Sequence, residues 1–99
     1  MISIEINPEA EHSFEVIFKF LIEIWNFEVA IEFANFSDEA IKIISKNPYI
    51  GKPFQKNIRT LVLHKNASVY YEYFENLEKI QILLYTDNRQ NPESYLRFL

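Results

Sequence analysis

Residues 58–73 read IRTLVLHKNASVYYEY. β-branched and aromatic side chains fill both halves, and Lys65-Asn66 interrupts them with residues that suit a turn. Two strands joined by a short connection form an antiparallel hairpin. A third run of the same kind, about Lys79 to Thr86, follows Asn76 after another short gap. The runs at about Ile58–Lys65, Ser68–Phe74 and Lys79–Thr86 therefore predict a three-stranded antiparallel meander, with Asn66 and Asn76 as the residues that tolerate positive φ. Both faces of these strands carry apolar groups: Val69, Tyr71 and Tyr73 on one, Tyr70 and Phe74 on the other. A sheet covered on one side shows polar residues on its second face. Either a partner or another part of this chain is expected to cover that face.

Upstream, ISIEI (residues 2–6) alternates apolar and polar residues as a half-buried strand does. Asn7-Pro8-Glu9 reads as a helix start, with an Asn cap, proline in the first turn and an acid near the positive end of the dipole. Phe14, Ile17, Phe18, Leu21, Ile22 and Trp25 recur at helical spacing, and Trp25 is expected to be core. Asn26 ends this helix or caps the next. The second helix is expected from about Phe27 to Lys46, its inner stripe including Ala30, Phe33, Ala34, Ala40, Ile41 and Ile44. Asn47-Pro48 stops it. YIGKPFQKN (residues 49–57), which holds the only glycine, reads as a loop.

The order is strand, helical hairpin, then the three-stranded meander. It predicts an α+β fold with the helices packed on one face of an antiparallel sheet. At 99 residues the chain forms a single domain, 1–99. A chain of that length buries roughly two thirds of its unfolded surface, enough for one core. Hydrophobic residues make up 48%, which excludes compositional disorder, and nine Phe with six Tyr leave aromatic surface for a partner. There is no cysteine, and His12 and His64 alone do not make an ordinary zinc site, so no metal and no cofactor are expected. The apolar stretch from Phe14 to Trp25 is broken by Glu15, Lys19 and Glu23, which fits neither a signal peptide nor a membrane span. A cytoplasmic protein with no membrane partner is expected.

The net charge of −4 hides an asymmetry. Residues 1–50 carry nine acids and three lysines, while residues 51–99 carry seven bases and five acids. No acid lies between Glu39 and Glu72, an interval that holds Lys42, Lys46, Lys52, Lys56, Arg59 and Lys65. Such a stretch attracts an acidic partner or a phosphate backbone, or it is simply a solvated face. The overall acidity weighs against tight nonspecific nucleic-acid binding.

Taken in order, NPEAE opening the first helix, Trp25 closing it, IISKNPYIGKPF after the second, the hairpin at 58–73 and IQILLYTDNRQNP closing the sheet resemble the RelE/ParE superfamily of bacterial type II toxins. The resemblance covers nearly the whole chain and rests on order and spacing rather than on any one motif. It implies a cognate antitoxin as partner, no small-molecule ligand, and one of two activities. RelE-like members cut messenger RNA on the ribosome without a metal. ParE-like members inhibit DNA gyrase and have no active site of their own.

By that resemblance Arg89 and Tyr95 match the arginine and the C-terminal tyrosine of the ribonuclease pattern, and Arg59 can stand for a basic residue at the start of the central strand. Leu61 and Ser68 stand where that pattern keeps a lysine and an arginine. Loss of one such contact in an active site is worth about 3 kcal/mol, so the resemblance favours the ParE-like branch, or an inactive toxin-fold relic that retains antitoxin binding, over the endoribonuclease. Lys52, Lys56, Arg59, Lys65 and Arg89 are the expected antitoxin or target contacts. Each residue also has a structural alternative. Arg59 can anchor the loop or pair with a carboxylate such as Asp87, Arg89 can brace the sheet end through Asp87 or Glu72, and Tyr95 can simply pack its ring. His12 and His64 read as surface residues.

Overall fold

The computed structural model describes residues 2–64 and 66–88. Its elements run β1 (Ser3–Ile6), α1 (Pro8–Ile24), α2 (Phe27–Lys46), β2 (Lys52–Gln55), β3 (Ile58–His64), β4 (Ala67–Phe74) and β5 (Lys79–Asp87), with a single 3₁₀ turn at Glu75–Leu77. The strands form one sheet in the order β1-β5-β4-β3-β2. The α+β layout, the helical pair and the β3-β4-β5 meander agree with the reading of the sequence. The sheet is mixed rather than wholly antiparallel, because β1 pairs parallel with β5. Asn7 begins this crossover. Its N–H donates to the Ile82 carbonyl and its own carbonyl accepts from Glu11, so its backbone ties β5 to α1 while its side chain makes no capping bond.

The stretch expected as a loop contains a strand. β2 pairs antiparallel with β3, Lys52 opposite Thr60 and Pro53 opposite Arg59. Proline disguised it: Pro53 cannot donate to a ladder, and an edge strand is where that loss is tolerated. The left-handed turn residues also differ from expectation. Among the described residues they are Lys56 (φ 49°) and Glu78 (φ 48°), while Asn76 lies within the 3₁₀ turn.

Two bulges set which side chains face the helices. On β5 the partners step from Leu84 opposite Tyr70 to Ile82 opposite Tyr71, which leaves Leu83 as the extra residue. The alternation changes phase there. Ile80 and Ile82 face the helices on one side of the bulge, and Tyr85 on the other. Leu84 and Thr86 share the opposite face with Tyr70 and Ser68, yet both are buried. A second bulge at Leu63 separates Val62 opposite Ser68 from His64 opposite Ala67.

The core lies between the sheet and the helical pair. Ala10, Ile17 and Leu21 of α1 and Ala30, Phe33, Ala40 and Ile44 of α2 meet Val69, Tyr71, Ile80, Ile82 and Tyr85. Phe14 stacks on Phe33 (5.0 Å) and meets Tyr85 edge-on (5.4 Å). Ser37 interrupts the apolar stripe of α2 for a reason: its hydroxyl donates to the Tyr85 phenol at 2.7 Å inside the core. Ser13 then accepts from the Tyr85 backbone N–H at 3.0 Å. Ala34 and Ile41 are half-buried.

Trp25 is not core. It is 61% exposed at the C-cap of α1, where φ −128° and ψ −96° have already left helical geometry. The helical step per residue that places Leu21 inward no longer applies one residue past Ile24. Among the described residues no helix is long and apolar enough to cross a membrane.

Candidate functional site

Of the described cations of the acid-free interval, Lys42 and Lys46 stand on α2, while Lys52, Lys56 and Arg59 lie on and between β2 and β3. Gly51 and Asn47-Pro48 bring the end of α2 back toward the sheet, and Tyr71 of β4 holds that return. Its phenol donates to the Pro48 carbonyl at 2.8 Å and accepts from the Gly51 N–H at 2.9 Å. Tyr71 is fully buried. Burial first of all raises its pKa above the ordinary 10.0 of tyrosine, against lowering by Gly51 and Arg59, so the hydroxyl remains a donor at neutral pH. Gly51 is needed for space rather than for backbone freedom, since its φ is not positive. A Cβ there would meet the Tyr71 hydroxyl at 2.6 Å and Arg59 Cβ at 3.0 Å.

Arg59 stands opposite Tyr71 and so points to the helix side of the sheet. Its guanidinium donates to the carbonyls of Gly51 (2.8 Å) and Tyr49 (3.2 Å) and lies 5.2 Å from the Tyr49 ring centre. The loop-anchoring alternative for Arg59 therefore matches its geometry, and Asp87 is not its partner in these contacts. Lys56, at the β2–β3 turn, is exposed. Lys56 and Arg59 line one cleft of about 530 Å³, with Tyr49, Asn57, Ile58, Tyr73, Phe74 and Glu75 among its walls. Lys52, paired with Thr60, stands on the face away from the helices and does not line it. Lys65, Arg89 and Tyr95 lie outside the described residues.

The interval that lacks acids in sequence does not lack them in space. Glu75 enters the cleft from the 3₁₀ turn. Loss of solvation and then the Glu75 carboxylate push the Tyr49 phenol above its ordinary 10.0, with a hydrogen bond to Glu75 acting in the same direction. Tyr49 packs edge-on against Tyr73 at 5.4 Å. Among the described residues the cleft thus offers the Tyr49 phenol, aromatic walls, the Arg59 guanidinium bonded to two carbonyls, the exposed Lys56 side chain and the Glu75 side chain. That set suits binding of a mixed-polarity segment. Reading the sequence alone did not single out Tyr49, Tyr73 or Glu75. The one available signal was the lone glycine beside Tyr49.

The opposite face of the central strands presents Thr60, Val62, Ser68 and Tyr70 by register. Val62 is 67% exposed, and the Phe54 and Tyr70 rings meet edge-on at 5.1 Å. Thr60 Oγ1 is buried without a hydrogen-bond partner. Leu61 faces the other way, against the helix-side core. Ser68, facing this open surface, supplies a small hydroxyl and no charge. His64 is exposed, 3.7 Å from Glu32, with its ring tilted against Phe36. Among the described residues no three His, Asp or Glu side chains converge as metal ligands.

Neither a family model nor a curated protein matches this sequence. Solved structures do. A chain from the chromosomal ParDE TA system of P. aeruginosa superposes with a TM-score of 0.73 at 22% identity, over 88% of this chain and 96% of that one. The isolated E. coli RelE toxin superposes with a TM-score of 0.64 at 9% identity, over 100% of both chains. At these identities the likeness is one of fold, and the chain shares that fold over nearly its whole length.

Proposed function

We propose that this chain is a RelE/ParE-type toxin that slows growth by binding an essential target, with gyrase-type inhibition favoured over RNA cleavage, and that a cognate antitoxin neutralises it. The fold shared with a ParDE system and with RelE supports the toxin class. The engagement of Arg59 supports binding over cleavage. Its Nη1 donates to the Tyr49 and Gly51 carbonyls, where it orders a loop. A cation so committed is poorly placed to follow charge developing on a phosphate, which needs a donor aimed at the transition state. The uncharged Thr60, Val62 and Ser68 on the open face agree.

The antitoxin contact is assigned to the β2–β3 side, at Lys52, Lys56 and the aromatic cleft beside Arg59, with Lys65 and Arg89 as further contacts. An extended acidic segment meets complementary charge there and buries its apolar residues against Tyr49, Tyr73 and Phe54. It can also pair with the exposed β2 edge, where main-chain hydrogen bonds add affinity.

The test runs the purified protein in parallel against ribosome-bound message and against gyrase-driven DNA supercoiling. Inhibited supercoiling with intact message is expected. Site-specific cleavage of the message, abolished by Arg89→Ala, overturns the assignment in favour of the metal-independent endoribonuclease.

A further inference from the structure

The tip of the helical hairpin carries large apolar groups that the core does not use. Trp25 is 61% exposed, Phe27 60%, and Ile22 and Ile31 38% each. All four lie at or near the α1–α2 junction. Phe18 and Ile22 are spaced to share one face of α1, Trp25 follows at its C-cap, and Phe27 and Ile31 share one face of α2. The Phe27 ring meets Phe18 edge-on at 6.2 Å, which joins the two faces across the junction.

This exposure is built rather than loose. The Trp25 N–H closes the last turn of α1 on the Leu21 carbonyl at 3.0 Å. The Asn26 side chain accepts from the Val29 N–H at 2.9 Å and starts α2 at once. Both aromatic residues therefore sit on a short, doubly capped junction. Rigid aromatic anchors of this kind lose little side-chain entropy on binding, and Trp is among the residues most enriched at binding hot spots.

The charged residues nearest the junction are acidic: Glu23 precedes Trp25 and Glu28 follows Phe27, and both are exposed. We propose that Ile22, Trp25, Phe27 and Ile31 form a docking surface for an amphipathic helix of a partner protein, its apolar face bordered by Lys and Arg. A second copy of this chain fits the surface poorly. Two-fold pairing would set Glu23 and Glu28 against themselves. The patch also offers roughly 400 Å², about half of what each side of a stable interface buries. Glu23 and Glu28 likewise disfavour an anionic lipid surface. The inference goes beyond the toxin reading and does not depend on it. The chemistry required is opposite in charge to the acidic segment assigned to the β2–β3 side.

Trp25 is the only tryptophan in the chain, so its emission reports this surface directly. The probes are two tryptophan-free synthetic helical peptides with the same leucine pattern, one with lysine and one with glutamate at the polar positions. The lysine peptide is expected to shift Trp25 emission to shorter wavelength, saturably, and less strongly at high salt. The glutamate peptide is expected to leave it unchanged. Glu23→Lys with Glu28→Lys should weaken the lysine peptide about tenfold, two exposed charge contacts having become repulsive. Phe27→Ala, with unchanged circular dichroism, should weaken it as well. Equal response to both peptides, response to neither, or indifference to the charge reversal overturns the proposal. So does an emission shift that grows with protein concentration alone, which would mean a second copy. A shift larger on phosphatidylglycerol vesicles than on the lysine peptide also overturns it and assigns the tip to a membrane surface.

Discussion

Replacing Gly51 by alanine should destabilise the protein far more than one methyl group normally does. The new Cβ would lie 2.6 Å from the Tyr71 hydroxyl, 2.8 Å from its Cε1 and 3.0 Å from Arg59 Cβ. Gly51 has no positive φ, so backbone strain adds nothing and the whole effect is steric. Tyr71 cannot yield cheaply. It is fully buried, and its hydroxyl is fixed between the Pro48 carbonyl and the Gly51 N–H. Overpacking of a filled site costs about 1–3 kcal/mol. Displacing the phenol also strands a buried N–H, at about 1–3 kcal/mol. A total of about 3 kcal/mol is expected, which at a urea slope of ~1–1.5 kcal/mol/M lowers the unfolding midpoint by ~2–3 M. Urea unfolding followed by far-UV circular dichroism measures it. Tyr71→Phe removes the nearest atom, so Gly51→Ala should cost less in that background than in the natural chain. A Gly51→Ala protein within about 0.5 kcal/mol of the natural one, a change typical of a neutral surface site, would refute the reasoning. So would full additivity of the two substitutions.

Other consequences can be checked by the same unfolding assay. Arg59→Ala should cost about 1–2 kcal/mol, because the Tyr49 and Gly51 carbonyls lose a charged donor, and Arg59→Lys should recover only part of it. Tyr85→Phe should cost about 1–2 kcal/mol by leaving the buried Ser37 hydroxyl without its acceptor, a loss that Ser37→Ala in the same chain should relieve. Burial raises the pKa of Tyr71 and Tyr85 above 10.0 in the folded state. The stability tied to these neutral phenols is therefore fully present below pH 10 and is lost as pH rises through the raised values. Urea midpoints should hold steady between pH 7 and pH 9 and fall above about pH 10, with a shallower fall in Tyr71→Phe.

Where local signals agreed with tertiary packing, the sequence was legible. The second helix runs Phe27–Lys46 as expected, because Asn26 caps one end and Asn47-Pro48 closes the other. The meander followed from three β-rich runs separated by polar turns. What escaped reading depended on contacts distant in sequence. β2 is held by β3 rather than by its own propensity, and Pro53 masks it. The Leu83 bulge inverts the alternation of β5, so period-two reasoning could not say which of Leu84 and Tyr85 meets the helices. Trp25 follows an apolar stripe in sequence but lies one residue beyond helical geometry. Of the expected site, Lys56 and Arg59 do share a cleft, while Lys52 stands on the other face. Glu75 arrived unannounced, since a chain that lacks acids over one interval can still fold one in from another.

Growth of a bacterial host after induction of this chain, with and without co-expression of the protein encoded beside it, tests the toxin assignment most directly. The account predicts slowed growth when the chain is expressed alone and recovery when the neighbouring protein is made with it. Unimpaired growth at verified soluble expression would contradict it.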